Sequence, residues 1–366
     1  MKKSLIALAV LAASGAAMAQ SSVTLFGVVD TGVSYVKGNG SAGTSNYGLH
    51  NGSNASSRLG FRGVEDLGGG LKAGFWLEGA IGTDVGDGSG AGLKGGSGFQ
   101  FGRRSTVSLM GNFGEVRLGR DEVVAYNKLS AHSNFSVIGV GGFRGWANSQ
   151  GDAIRQNNKI TYLTPNFSGF TAGVDYAFGE VAGDGQRGRY FGGFVAYNNG
   201  PLAVTLGADR KNNPVSGTGV DAGYNGSNAN FVDGNKLDTI GLGATYDFGV
   251  AKVNGLFLQA KEKGAAVNTK LNSYALGVSA PVGGVGEVKA QYALYDLKNA
   301  AAGNGKAHQL SLGYVHNLSK RTALYGTYSF LKNKDGAAFK LGGTPDYTVG
   351  AGKASNGVQV GIRHAF

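Results

Sequence analysis

Three arginines lie in segments whose side chains alternate as in a β-strand, so that each arginine faces away from its apolar neighbours. Arg58 alternates with Leu59 and Phe61, and Arg104 and Arg155 have the same relation to the apolar residues around them. A guanidinium keeps its charge where charges are crowded, so a cluster of such groups attracts anions without covalent chemistry. Crowded guanidiniums repel one another, and we therefore expect carboxylates beside them. The candidate partners are Glu78, Asp121, Glu122 and Asp152.

Motifs for covalent or metal chemistry are weak. The five histidines form no H-E-x-x-H pattern, and no G-x-S-x-G sequence offers a hydrolase nucleophile. Asp84–Gly90 resembles the start of a calcium loop, but Gly95 stands where a bidentate Glu is required. Gly139–Gly145 has the glycines of a phosphate loop without its lysine. We therefore predict no catalytic residue, no metal site and no cofactor, and leave open casual calcium binding by a loop carboxylate.

The N-terminus has the layout of a secretory signal. Two lysines precede the apolar stretch Leu5–Ala13, and Ala17-Met-Ala19 offers the small residues that a signal peptidase reads. The apolar stretch is too short for a membrane-spanning helix. We expect residues 1–19 to be a cleaved signal peptide and residues 20–366 to form a single domain.

Composition narrows the class further. The 366 residues include 67 glycines, 5 prolines and no cysteine, and the formal net charge is +11. An exported chain without cysteine is stabilised without disulfides or thiolate metal sites. The glycines follow no collagen period, and the 19 Phe and 16 Tyr argue against disorder. A basic balance suits nucleic acid, but most Lys and Arg stand singly and an exported chain meets little of it, so nucleic acid is not an expected partner.

Segments of about ten residues with alternating apolar and polar side chains recur along the chain. The first runs from about Val23 to Val36, the third from Leu71 to Asp84, the fourth over about 99–112, and the last ends on the aromatic Phe366. We count sixteen, an even number, as outer-membrane barrels require. Long polar connections are expected near 179–187, 211–236, 262–271, 298–306 and 334–354.

These features predict an all-β transmembrane antiparallel β-barrel of 16 strands, with short periplasmic turns and long extracellular loops. A soluble sandwich would also alternate, but it would bury its apolar faces in a dry core. A sandwich does not require an even number of long strands that end on an aromatic residue. We interpret Phe366 as the barrel-closing terminal aromatic.

Longer motifs are spread over nearly the whole predicted mature chain. They are Ser22-Val-Thr-Leu-Phe-Gly-Val-Val-Asp30, Ser57-Arg-Leu-Gly-Phe-Arg-Gly-Val-Glu-Asp-Leu-Gly-Gly-Gly-Leu-Lys-Ala73, Asn112-Phe-Gly-Glu-Val-Arg-Leu-Gly-Arg120, Tyr162-Leu-Thr-Pro-Asn-Phe-Ser-Gly-Phe170, Leu318-Ser-Lys-Arg-Thr-Ala-Leu-Tyr325 and Gln359-Val-Gly-Ile-Arg-His-Ala-Phe366. Together they resemble the general porins of the β-proteobacterial outer membrane, above all the anion-selective members. The resemblance implies a homotrimer of sixteen-stranded barrels and a third loop folded into each pore. The longest connection, Val124 to Asp152, falls where that loop is expected.

The resemblance also implies that basic wall residues face the third loop where the pore is narrowest. On this basis we predict that Arg58, Arg104 and Arg155 form the pore constriction with Glu78 as a partner. A bulge would exchange Arg104 for Arg103, and this choice stays open. Flanking pore charge is expected from Arg62, Lys72, Arg144, Asp121 and Asp152. The alternative is that these arginines only tie the loop to the wall through ion pairs.

The function expected from all of this is a passive, anion-preferring diffusion channel of the Gram-negative outer membrane, and not an enzyme. Expected partners are small anions and hydrophilic solutes, outer-membrane lipid and lipopolysaccharide, the barrel-assembly machinery, and two further copies of the chain. Two other classes stay open. An enzyme on a barrel scaffold would need an outward Ser/His/Asp set, and an adhesive surface protein would show no conductance.

Overall fold

A single antiparallel sheet dominates the computed structural model, which describes residues 22–88, 98–146, 154–180, 182–212, 235–264, 268–299, 303–343 and 346–366. The predicted signal peptide lies outside these ranges. The strands within them are β1 (Ser22–Gly38), β2 (Ser45–Asn51), β3 (Arg58–Gly68), β4 (Leu71–Ala80), β5 (Arg104–Gly111), β6 (Gly114–Glu122), β7 (Arg155–Leu163), β8 (Phe170–Ala177), β9 (Tyr190–Asn199), β10 (Leu202–Asn212), β11 (Lys236–Asp247), β12 (Lys252–Lys263), β13 (Asn268–Val282), β14 (Gly286–Asn299), β15 (Gly303–Asn317), β16 (Thr322–Lys334) and β17 (Ala354–Ala365).

Sixteen of these strands close into a barrel, which confirms the predicted fold class. Each strand from β3 to β16 pairs antiparallel with the next, and β1 closes the ring by pairing with both β17 and β3. The remaining strand, β2, lies in the first long connection and pairs with the half of β1 that β3 does not reach. The sequence did not predict β2 because it lies in a connection rich in Gly, Ser and Asn.

The C-terminus completes the barrel through a close backbone approach. Gly27 and Phe366 exchange backbone hydrogen bonds of 3.0 and 3.1 Å. A side chain at position 27 would meet both the Phe366 ring and the carbonyl oxygen of Arg58. Glycine at this position therefore lets the ring of the terminal aromatic pack closely against the first strand.

Alternation sets apolar side chains on the outside of the wall. Leu206, Leu276 and Val360 are 52 %, 63 % and 55 % exposed, while the residues beside them in sequence are buried or half-buried and face the lumen. Exposed apolar side chains on every barrel strand form the surface that a lipid bilayer covers. Short turns join the strands at one end, the turn end, and mostly long connections join them at the other, the loop end.

Two connections are shorter than predicted. The expected loop 262–271 reduces to four residues, because β12 runs to Lys263 and β13 begins at Asn268. The expected loop 298–306 reduces to residues 300–302 between β14 and β15. The prediction ended each strand where the apolar alternation stops. Strand pairing depends on backbone hydrogen bonds and continues beyond that point, so the strands are longer and the loops shorter.

Apolar residues from two connections form a core inside the loop end. Leu129 and Phe143, from the connection after β6, pack in one cluster with inward Leu258 and Tyr295 and with Phe339 from the connection after β16. The barrel is thus partly filled by its own loops. Among the described residues, no helix is both long and apolar enough to cross a bilayer.

Candidate functional site

The connection between β6 and β7 runs inside the barrel. Its described part consists of residues 123–146 and Ile154, and it starts with helix α1 (Val124–Leu129) and a 3-10 turn (Ser130–His132). Val124 packs with Phe194 and Ala196, whose side chains point inward from β9. We call residues 123–146 the lumen loop.

A buried acid holds the start of the lumen loop against the wall. Asp175 of β8 accepts a hydrogen bond from the backbone N–H of Val124 at 2.6 Å and one from Thr161 Oγ1 at 2.5 Å. Lys159 Nζ lies 3.2 Å from the same carboxylate, and both side chains are at most 1 % exposed. Burial of two charges costs desolvation free energy, and this cost is offset here because each charge has several partners.

Inward glutamines hold the far part of the loop. Gln291 Oε1 accepts the backbone N–H of Asn134 at 2.9 Å, and Gln359 Oε1 accepts that of Val140 at 2.7 Å. Gln309 Nε2 donates to the carbonyl oxygen of Val140 at 3.2 Å. Side chains on β14, β15 and β17 therefore satisfy backbone groups of the loop, which crosses the lumen along the inner faces of these strands.

The opposite wall carries a charged group that we call the constriction cluster: Arg58, Glu78, Arg103, Glu122 and Arg155. Arg103 Nε donates to Glu78 Oε1 at 2.6 Å, and Arg58 Nε lies 3.9 Å from the same oxygen. Arg155 Nη2 donates to Glu122 Oε1 at 2.6 Å, and its Nε donates to the carbonyl oxygen of Arg103 at 3.1 Å. Three guanidiniums face two carboxylates, so the cluster has an excess of one positive charge.

A second charged row lies one step nearer the turn end. The Arg104 guanidinium stacks on the Trp76 ring at 4.5 Å, and its Nε lies 3.4 Å from Asp121 Oδ2. Arg117 donates to Asp121 at 2.7 Å and to Glu115 at 3.0 Å. Arg62, which lies 5.0 Å over the Trp76 ring, belongs to the same row. The row then contains three arginines and two carboxylates, so it also has an excess of one positive charge.

Both members of the adjacent arginine pair face the lumen, at different heights. Arg103 stands beside Arg58 and Arg155, whereas Arg104 joins the second row. The predicted start of the fourth strand near residue 99 is wrong, because β5 begins at Arg104. Arg103 precedes the regular alternation, and its backbone N–H donates to the carbonyl oxygen of Glu78 at 3.0 Å. The alternation of side chains along a strand does not predict which way a residue outside that strand faces.

The other predicted pore charges differ in their placement, and Arg144 alone among the described ones lines the cavity beside the constriction cluster. Lys72 is exposed close to the turn end of β4. Arg144 belongs to the lumen loop, where its backbone N–H donates to Tyr295 Oη at 2.9 Å and burial lowers the pKa of its guanidinium. Asp152 lies outside the described residues.

The lumen loop and the constriction cluster enclose a cavity of about 380 Å³. Arg58, Arg103, Arg155 and Glu122 line it from the wall, and Tyr126, Ser130 and Ser136 to Gly139 line it from the loop. The wall thus contributes four of the five charged side chains that line the opening, and the loop contributes the fifth, Arg144. Fixed positive charge on the wall of a pore attracts anions.

Several site residues were missed by sequence reasoning. Arg117 alternates with apolar Val116 and Leu118, so the parity that identified Arg58 would also have found it. Lys159 and Asp175 lie sixteen residues apart on adjacent strands, and only the register brings them together. Within the described ranges, no group of three or more His, Asp or Glu side chains is arranged to hold a metal ion.

Comparison with known proteins gives consistent matches over the chain. A family model described as Gram-negative porin matches residues 5–336. The chain is 57 % identical to outer membrane porin protein 32 of Delftia acidovorans. It is 34 % identical to an outer membrane porin protein of Bordetella pertussis. Both matches extend over the full length of both chains.

Solved structures give the same result. An anion-selective porin from Comamonas acidovorans superposes with a TM-score of 0.80 at 53 % identity, over 95 % of this chain and 100 % of that one. The trimer form of OmpT from Vibrio cholerae has a TM-score of 0.70 at 15 % identity, over 94 % and 99 % of the two chains. The second likeness is one of fold alone.

Proposed function

Because the chain belongs to the Gram-negative porin family, we propose that its pore is an anion-preferring passage for ions and small hydrophilic solutes. The protein is an outer-membrane β-barrel porin, a passive channel. The similar Comamonas porin is described as anion-selective, and the charges of this lumen are compatible with the same preference here.

The excess of arginine over carboxylate beside the cavity carries the proposal. The constriction cluster and the second row together contain six arginines and four carboxylates. The arginines are Arg58, Arg62, Arg103, Arg104, Arg117 and Arg155, and the carboxylates are Glu78, Glu115, Asp121 and Glu122. Fixed charge near the narrowest part of a channel selects the ion of opposite sign. An excess of two positive charges in this confined space favours anions.

The reversal potential in a potassium chloride gradient across a planar bilayer tests the proposal. We expect the sign of anion preference at low salt. The preference should weaken as salt rises, because the Debye length shortens from about 30 Å at 0.01 M to about 3 Å at 1 M. Cation preference at low salt would contradict the proposal, and absence of conductance would favour an adhesive role.

Assembly and export are part of the same proposal. We propose a homotrimer, in keeping with the family, with turns in the periplasm and loops outside the cell. Residues 1–19 serve as the signal peptide, and the barrel-assembly machinery acts on the barrel strands, the last of which, β17, directly precedes Phe366. Unheated electrophoresis should give a band near three times the monomer mass. A monomer measured in mild detergent would contradict the trimer.

A further inference from the structure

Trp76 lies on the lumen face of β4 and contacts charged side chains of both the constriction cluster and the second row. Its Nε1–H donates to Glu78 Oε2 at 3.1 Å. The Arg62 guanidinium lies 5.0 Å from the centre of the indole ring, and that of Arg104 lies 4.5 Å from it. Arg62 reaches the ring from β3 and Arg104 reaches it from β5, the two strands that pair with β4. One neutral side chain thus contacts an acid and two bases of the pore wall.

Arg62 is held by aromatic rings and not by an acid. Its guanidinium also lies 5.2 Å from the centre of the Phe26 ring, which packs edge-on against Trp76 at 5.0 Å. Among the described residues, Arg62 forms no ion pair, whereas Arg104 and Arg117 of the same row both contact acids. Arg62 is also exposed in the lumen. Its charge is therefore not cancelled by a contact.

Glu78 stands within reach of Arg62 if the indole is removed. Arg62 is directly opposite Trp76 in the pair of β3 and β4, and Glu78 is two residues further along β4 on the same face. Such diagonal neighbours lie about 7–8 Å apart, a distance that long side chains can span. Arg103 engages Glu78 Oε1 at 2.6 Å, and the indole N–H occupies Oε2. The indole thus contacts both charges and occupies the oxygen that Arg103 leaves free.

We propose that Trp76 is a positioning residue for anion selection, because it keeps the charge of Arg62 separate from Glu78 and accessible to passing anions. The electron-rich face of an indole attracts a guanidinium without neutralising its charge. A carboxylate in the same place would neutralise it. This inference rests on the proposed anion preference and adds that a neutral ring determines how much of the arginine charge acts on the pore.

The variant Trp76→Leu tests the proposal through the reversal potential at low salt, because it changes no charge of the pore. We expect Arg62 to pair with Glu78, and the ratio of chloride to potassium permeability to fall about twofold. Phe75→Leu is the matched control, since Phe75 is the adjacent residue on the outward face of β4 and should not affect the ratio. Assembly of each variant is checked on unheated gels. A wild-type ratio in assembled Trp76→Leu would overturn the proposal.

Two double variants separate positioning from a general loosening of the wall. Glu78→Gln removes the acid that Arg62 would bind, and Arg62→Gln removes the base. If Trp76 acts by keeping these two groups apart, adding Trp76→Leu to either variant should leave its permeability ratio unchanged. Such non-additivity is expected only where the residues act through one another. An equal fall in all three backgrounds would show that the ring has a structural role alone, and the proposal would be wrong.

A third experiment tests the contact without any current. The chain has two tryptophans, so Trp146→Phe leaves Trp76 as the single indole reporter. Because a nearby charge shifts indole emission, Arg62→Gln in this background should shift the emission maximum of the folded protein. Arg321→Gln, in the turn before β16, should not. Cation preference of the wild-type protein would overturn the proposed function and this role with it, whereas an unshifted emission in Arg62→Gln would overturn this role alone, so the two failures are distinguishable.

Discussion

Glu78 lies within 2.6 Å of Arg103, and this contact fixes the guanidinium at the edge of the cavity beside Arg58 and Arg155. The carboxylate also accepts a hydrogen bond from Trp76 Nε1 at 3.1 Å. Glu78 thus holds the arginines in position, and its negative charge weakens the positive electrostatic field that they create. Removal of Glu78 would loosen the position of the arginines and would also increase the net positive charge, and experiment can separate these two opposing effects.

The variant Glu78→Gln is expected to raise anion preference. The amide keeps a hydrogen-bond acceptor for Arg103 and removes one negative charge from a confined space, where charges interact more strongly than in bulk water. Reversal potentials at low salt should shift further toward the chloride potential. Glu65→Gln, at an exposed position of β3 near the turn end, serves as the control. An unchanged or smaller preference in Glu78→Gln would contradict the expectation.

Asp175→Asn should loosen the lumen loop and destabilise the barrel. It leaves Lys159 as a buried charge without its counterion, and breaking one side of such a pair typically costs about 3–5 kcal/mol. We expect a lower heat-denaturation midpoint and frequent current fluctuations in single-channel recordings. Asp238→Asn breaks an exposed pair with Arg210, where about 0–1 kcal/mol is typical, and is the matched control. Equal behaviour of the two variants would show that Asp175 does not anchor the loop.

Gly27→Ala tests how the barrel closes. A methyl group at position 27 would overlap the Phe366 ring and a backbone oxygen, and such overpacking costs about 1–3 kcal/mol. We expect less heat-resistant assembled protein on unheated gels. Gly255 also lies within a strand, but a methyl group there meets little, with the nearest atom 3.9 Å away. Gly255→Ala should therefore assemble normally, and equal yields of the two variants would contradict this view of the seam.

His132 gives the lumen loop a pH dependence. Its ring nitrogens lie 2.8 Å from Thr245 Oγ1 and 3.0 Å from Thr205 Oγ1, and burial lowers its pKa below the ordinary value of 6.5. The unfolded chain therefore binds more protons than the folded chain as pH falls below about 6.5, and the free energy of unfolding decreases there.

We accordingly expect the heat-denaturation midpoint of the wild type to fall on acidification from about pH 7.5 to about pH 5, over the range in which an ordinary histidine takes up its proton. His132→Gln should show a smaller fall, and His316→Gln, near the turn end of β15, should behave like the wild type. A full pH dependence in His132→Gln would show that other groups cause it.

The sequence predicted those features that depend on local alternation. Parity within a strand placed Arg58 and Arg155 on the lumen side, and the terminal aromatic with the even strand count indicated a closed barrel. The path of the lumen loop could not be predicted in this way. It depends on Gln291, Gln309 and Gln359, each far from the loop in sequence and next to it only because of the register of the closed sheet.

Whether the arginines select ions or only tie the loop to the wall is the central question. Arg155 illustrates the alternative, since its 2.6 Å contact with Glu122 lies at the base of the lumen loop. Both roles require the arginines to be in place, but only selection requires their charge to act on passing ions. Serine in place of arginine removes that charge, while the closed ladder and the outward apolar faces that hold the barrel together remain.

The most direct measurement is the reversal potential at low salt for Arg58→Ser, Arg103→Ser, Arg155→Ser and their combinations, with Lys320→Ser in a turn as the control. Assembly of each variant is checked on unheated gels. We expect anion preference to fall stepwise from single to triple variants, with a rise in conductance as smaller side chains widen the opening, and no change in the control. Wild-type selectivity in an assembled triple variant would contradict this assignment and would show that the arginines are structural ties.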